Sequence, residues 1–222
     1  MNTYSFFHKD IEVFHSIKPK LKNLYLSINE SGEVHLKTPR INQKQIYELL
    51  TNKELWIRKK LNEIDGYQKP KVELNKEALL FGNIYSLEDS KLINLKTMLL
   101  KSRNFSKESL IKKYDLFYKE YANEYLEQRA SFYAKKMDLE YQSIKLRKMR
   151  RRWGSCNSKK ILTFNTELMK IKKELIDYVV VHELAHLKHM NHSKDFHALV
   201  ERYLPDSNNL KLELQKIRIA FI

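Results

Sequence analysis

Residues 182–186 read His-Glu-Leu-Ala-His, an H-E-x-x-H set that directly continues the apolar run Tyr178-Val179-Val180-Val181. On a helix, residues four apart share a face, about 6 Å apart along the axis and offset by ~40°. Two imidazoles so placed converge on one Zn²⁺ at the ~2.0–2.1 Å that a Zn–N bond requires. Glu183 projects beside them toward the open position of the metal. There it can take a proton from a zinc-bound water and later pass it to a leaving group. The segment must therefore be helical, and the chain must return a third ligand beneath it.

Catalytic zinc takes three protein ligands plus water. Five of the eight histidines lie between positions 182 and 197, so candidates are close at hand. His189 shares the face of His182 but lies about 10.5 Å further along a straight helix; capping the helix C-terminus suits it better. His192 follows Asn191, a residue that tolerates the left-handed conformation ending a helix. A turn at Met190-Asn191 brings it back under the metal, which makes His192 the first choice. His197, Glu201 and Asp195 follow in that order.

The rest of the chain is mixed in period. Leu24, Leu26 and Ile28 alternate, Asn29-Glu30-Ser31-Gly32 supplies turn chemistry, and Val34 and Leu36 resume the alternation, a strand pair. From Asn42 the period becomes helical, through Ile46, Leu50 and Ile57 to about Asp65-Gly66. The stretch 67–104, with Pro70, Gly82 and alternating runs around Leu79–Leu87 and Lys91–Leu99, reads as short strands and turns. A helix is expected from about Lys107 to Met137. Its stripe of aromatic residues, among them Tyr114, Phe117, Tyr118, Tyr121, Tyr125 and Tyr133, reads as core rather than as a base-stacking surface. Residues 142–165 read as a second strand pair around Gly154-Ser155-Cys156-Asn157-Ser158. A helix over roughly 173–189 follows, then an apolar-periodic segment from Phe196 to Leu204 and, after Pro205, one more short helix.

Net charge is +15, and the basic residues include a run. Lys145, Arg147, Lys148, Arg150, Arg151 and Arg152 immediately precede Trp153. As a strand, alternation places Lys148, Arg150 and Arg152 on one face and Arg147, Arg151 and Trp153 on the other. Such a strand either discourages edge aggregation or walls the site with groups that bind anions, since Arg favours bidentate phosphate contacts. Cys156, the only cysteine, excludes an intrachain disulfide and a cysteine-rich metal finger. A nucleophilic role for it competes poorly with a metal site that already accounts for the histidines. No run approaches the ~18–20 apolar residues of a membrane span. The start, MNTYSFFHKDIEVFH, lacks a basic then apolar leader pattern, so the expected compartment is the cytoplasm.

The combination of Arg152-Trp153-Gly154-Ser155-Cys156, Ile176–Leu187 with its H-E-L-A-H, and Asn191-His192-Ser193 with Phe196 resembles the YgjP-like metallopeptidase family, related to the SprT-like and WLM zinc proteases. The amino-terminal strand pair, Trp56-Ile57-Arg58 and Phe81-Gly82 ahead of Tyr85 extend the resemblance over most of the chain. It implies that His182, His186 and His192 are zinc ligands and that Glu183 is the general base. It also implies that the strand pair around W-G-S-C borders the cleft, where an edge strand aligns an extended peptide. His197 stands where the family often has an aromatic residue.

The resulting expectation is an α+β chain. A zincin-like catalytic domain over 103–222, with a small antiparallel sheet and the H-E-x-x-H helix, would follow a small α/β amino-terminal module over 1–102. The expected activity is zinc-dependent hydrolysis, most simply of peptides. Arg150, Arg152, Trp153, Gly154 and Ser155 are candidates for substrate binding. Two other classes stay open: metal-dependent hydrolysis of nucleotide phosphoanhydrides, and a nucleic-acid-associated protein carrying a zinc site. The expected partner is a peptide or other anionic substrate, with nucleic acid open and no membrane.

Overall fold

The computed structural model describes residues 3–29, 31–65 and 70–217. The chain forms two compact units, Met1–Gln68 and Lys69–Ile222.

In the first unit, β1 (Thr3–His8), β2 (Ile11–Ile17), β3 (Tyr25–Ile28) and β4 (Val34–Thr38) make a sheet of order β1-β2-β4-β3. β2 and β4 run parallel, and the other pairs are antiparallel. Helix α1 (Gln43–Asp65) supplies Ile46, Leu50 and Ile57 to a core shared with Val13, Val34 and Leu36. Its start is a reciprocal cap: the Gln45 N–H donates to Asn42 Oδ1 at 2.9 Å, and the Asn42 N–H donates to Gln45 Oε1 at 3.3 Å. The β3–β4 hairpin and this helix agree with the sequence reading. β1 and β2 do not appear in it, although buried Ile11, Val13 and His15 alternate with Glu12 and Phe14. Glu30 and Gly66, assigned there to turns, lie outside the described residues.

The second unit begins with the hairpin β5 (Glu77–Leu80) and β6 (Asn83–Ser86). Its two-residue turn, Phe81-Gly82, has positive φ at both positions, the geometry that matches strand twist. A 3-10 turn and helix α2 (Ile93–Leu100) come next. This corrects the strand expected over Lys91–Leu99. Asp89 caps the turn through the Lys91 N–H, and Leu92, Leu95 and Leu99 are buried at helical spacing. The expected boundary at 102–103 falls inside this unit, because Ala78, Leu80, Leu92 and Leu95 share one core with the next helix.

That helix, α3 (Lys107–Met137), starts at the Ser106 cap and ends on Asp138 in the left-handed conformation. Tyr114, Phe117, Tyr118 and Leu126 are buried, so its aromatic stripe is mainly core. The Tyr114 and Tyr118 hydroxyls donate to the Glu77 and Leu79 carbonyls of β5, at 2.7 and 2.8 Å.

β7 (Ser143–Arg147), β8 (Gly154–Cys156) and β9 (Ile161–Asn165) form a sheet of order β7-β9-β8. β8 is antiparallel to β9, whereas β7 is parallel to it. The sheet is therefore mixed, not purely antiparallel as expected. Residues 148–153 cross from one side of β9 to the other and are not a strand, so the face assignments made for Lys148–Trp153 do not hold. Asn165 organises this crossover: its Oδ1 accepts from the Met149 N–H, and its Nδ2 donates to the Met149 and Arg152 carbonyls at 2.8 and 2.9 Å.

Helix α4 (Lys173–Ala185) packs on α3, joined by a two-pronged Arg129–Asp177 ion pair with both N–O distances at 2.7 Å. α5 (Lys194–Tyr203) and α6 (Ser207–Lys216) complete the unit. No helix among the described residues is long and apolar enough to cross a membrane.

Candidate metal centre

Helix α4 buries nearly its whole surface. Leu175, Ile176, Val180, Val181, Leu184 and Ala185 are all inaccessible, which fixes the backbone under His182 and Glu183. The helix ends at Ala185, earlier than the expected 189. His186 is its C-cap, and the Leu187, Lys188 and His189 N–H groups return to the Leu184 and Ala185 carbonyls. The chain thus reverses within one turn. Ser193 then caps α5 by accepting from the Phe196 N–H, leaving His192 just ahead of that helix.

The reversal brings His182, His186 and His192 together, with one nitrogen of each within 4.8 Å of the others. Their ring centroids are 4.8–5.0 Å apart. Nε2 of His182 and Nε2 of His192 face each other at 3.1 Å. Tetrahedral ligands at Zn–N distances of ~2.0–2.1 Å would stand roughly 3.4 Å apart, so this pair fits a shared cation. His186 Nδ1–H donates to the His189 carbonyl at 3.0 Å, which leaves Nε2 with its lone pair free. The Nδ1 of His182 is buried without a partner among the described residues, so Nε2 is its one nitrogen open to a ligand. Burial, with the neighbouring imidazoles, drives His182 down to about 3, and burial lowers His186 as well. Both rings are therefore neutral near pH 7, the form that binds metal.

Phe196 lies beneath all three rings, its centroid 4.6–4.9 Å from each, and is fully buried. His197 stacks outside His192 at 6.2 Å. Neither His197, Asp195 nor Glu201 joins the three-histidine group among the described residues. His189 takes part through its carbonyl, not as the imidazole cap expected of it.

Glu183 is 5% exposed. Burial pushes its carboxyl up to about 8, against the pull of the Arg152 guanidinium. Its close packing explains the glycine of W-G-S-C: a Cβ at Gly154 would lie 2.7 Å from both Cγ and Oε1 of Glu183. The requirement is for space, not for a special φ.

A cleft of about 350 Å³ opens over this centre. Arg152, Trp153 and Gly154 line it on the crossover side, Tyr178, Val179, His182 and Glu183 along α4, and Lys211, Leu214 and Gln215 along α6. Of the substrate-binding candidates, Arg150 and Ser155 are not in this lining. The sequence reading missed Tyr178, Lys211, Gln215 and the Phe196 platform. Tyr178 could have been found, since it precedes His182 by one helical turn. Nothing local to α6 marks it as a wall.

A family model described as YgjP-like, metallopeptidase domain, matches residues 22–217. The chain belongs to the YgjP-like family. Two solved structures resemble it more distantly. The metallopeptidase zymogen of Pyrococcus abyssi abylysin is 19% identical, with a TM-score of 0.38, over 40% of this chain and 90% of that one. The metallopeptidase zymogen of Methanocaldococcus jannaschii jannalysin is 21% identical, with a TM-score of 0.38, over 41% and 94%. No curated protein matches this YgjP-like chain.

Two predictions follow from the packing around Glu183. Gly154→Ala, by displacing the carboxylate, should cost about 1–3 kcal/mol in urea unfolding and abolish most hydrolytic activity; unchanged stability and turnover would contradict the close approach. Burial and Glu183 together push the Cys156 thiol up to about 11. Its alkylation by iodoacetamide at pH 8 should therefore be about 100-fold slower than that of an unhindered thiol, rising roughly tenfold per pH unit toward 11. Reaction at the rate of a free thiol would revive a nucleophilic role.

Proposed function

We propose that this chain is a zinc-dependent metallopeptidase in which His182, His186 and His192 hold the metal and Glu183 is the general base. The observation that carries the reading is the convergence of three imidazole donors beside a buried carboxylate, in a chain of a metallopeptidase-domain family. When bound, Zn²⁺ supplies Lewis acidity, polarising the scissile carbonyl and lowering the pKa of water toward ~7.

The chain's own groups do the rest. Burial alone favours the protonated acid and a bound dication would favour the ionised form. With no hydrogen-bond partner among the described residues, the Glu183 carboxylate can then take a proton from the attacking water as the oxygen bonds to the carbonyl carbon. It then gives that proton to the leaving nitrogen as the C–N bond breaks. Tyr178 lines the cleft, and burial raises its hydroxyl pKa, so it stays a phenol able to donate to the developing oxyanion. β8 is an edge strand in the order β7-β9-β8, and Gly154 at its start borders the cleft. An extended peptide can add to such an edge by main-chain pairing.

The basic run also raised nucleotide hydrolysis and nucleic-acid binding. Of its six residues, only Arg152 lines the cleft, so these readings have the weaker support.

Metal content and turnover test the proposal together. Wild type and Glu183→Gln should each carry about one zinc per chain by mass spectrometry, and His186→Ala and His192→Ala should carry almost none. Glu183→Gln should lower peptide hydrolysis by about 10²–10⁴-fold. Zinc retained in both histidine variants, or full activity in Glu183→Gln, would overturn the assignment.

A further inference from the structure

Two cations in the cleft have no task in the chemistry proposed above. Arg152 comes from the segment entering β8, and Lys211 comes from α6. Neither side chain has a hydrogen-bond or ion-pair partner among the described residues. The contrast on α6 is direct, since Glu213, two residues from Lys211, is engaged by Lys172 at 2.8 Å. Both cations line the same cleft as His182 and Glu183. Among the described residues Glu183 is the only acidic one in the cleft lining, and the chemistry proposed above reserves it for the proton. Trp153, Val179 and Leu214 give the wall an apolar stretch beside Tyr178 and Gln215. An unsatisfied positive pair beside an apolar surface suits a ligand with a short hydrocarbon portion ending in an anion.

Resting on the metallopeptidase reading, we propose that Arg152 and Lys211 select substrates carrying a carboxylate next to the scissile bond, its hydrocarbon portion lying against Trp153, Val179 and Leu214. A carboxylate fits better than a nucleotide phosphate chain. About 350 Å³ is at the small end of ligand sites, which favours the smaller anion. The carboxylate has two sources in a peptide, an Asp or Glu side chain or the free α-carboxylate of a C-terminal residue. Either is drawn toward the cleft by its positive field, an attraction that weakens as salt rises.

The test uses the full-length, zinc-loaded protein and matched fluorogenic peptides. One series places Glu, Gln or Lys on either side of the scissile bond; the other ends in a free carboxylate or its amide. Wild type should favour a carboxylate over its neutral counterpart by about tenfold or more in kcat/KM, in whichever series holds the true source. Arg152→Gln and Lys211→Gln should each cut that ratio at least threefold, and the double variant should bring it near one, with zinc content unchanged. Isothermal titration of the Glu183→Gln protein with acetyl-Leu-Glu amide against acetyl-Leu-Gln amide, and with acetyl-Leu-Gln against its amide, should show the preference in the pair that holds the true source, without turnover, and lose it with Arg152→Gln. Peptide cleavage with no preference in either series would overturn this inference and leave the metallopeptidase reading standing. Zinc-loaded protein that cleaves no peptide, or that hydrolyses only nucleotides, would overturn both.

Discussion

A Cβ atom at position 154 would stand 2.7 Å from the Glu183 carboxylate, so β8 and α4 can meet only where the strand has no side chain. That approach couples the parts of the centre. α4 cannot shift to relieve it, because its apolar residues are buried in the core shared with α3 and β9. β8 is held by its pairing with β9, and the loop before it by the three side-chain hydrogen bonds of Asn165. The carboxylate is therefore pinned by packing rather than by hydrogen bonds. Among the described residues it has no hydrogen-bond partner, which suits the proton transfer proposed for it.

The histidines are positioned in a complementary way. Two come from the end of α4 and the third from the return of the chain toward α5. Phe196, in the first turn of α5, packs against all three rings, so one buried aromatic side chain sets their mutual distance. Helix termination is part of this design. Ending α4 at Ala185 frees the His189 carbonyl to accept from His186 Nδ1–H, and the same reversal puts His192 Nε2 3.1 Å from His182 Nε2.

Local pattern made some of this readable in advance. H-E-x-x-H at the end of an apolar run could hardly be anything but a helix, but the turn that returns His192 begins at His186, and Asn191, expected to end the helix in the left-handed conformation, has no positive φ. Long, uniform periodicity gave α3 its full extent from Lys107 to Met137. What escaped depends on tertiary placement. Residues 145–153 are charged and lack Gly and Pro, which suggested one continuous strand, but insertion of β9 between β7 and β8 forces a crossover there. Lys91–Leu99 alternates well enough to pass for a strand until Leu92, Leu95 and Leu99 find a common core. Lys211, Leu214 and Gln215 face the cleft only because α6 packs back on α4, which no short-range signal encodes. Gly154 was noticed as part of a motif, but its reason, the volume of a carboxylate from another element, is invisible before folding.

The central claim is that one metal ion is held by three imidazole nitrogens beside Glu183. X-ray absorption at the zinc edge on the purified, zinc-loaded protein tests it most directly. A first shell of nitrogen and oxygen only is expected, at about 2.0–2.1 Å, with the multiple-scattering signature of about three imidazoles. A sulfur scatterer near 2.3 Å, which would bring in Cys156, or a shell with no imidazole signature, would contradict it.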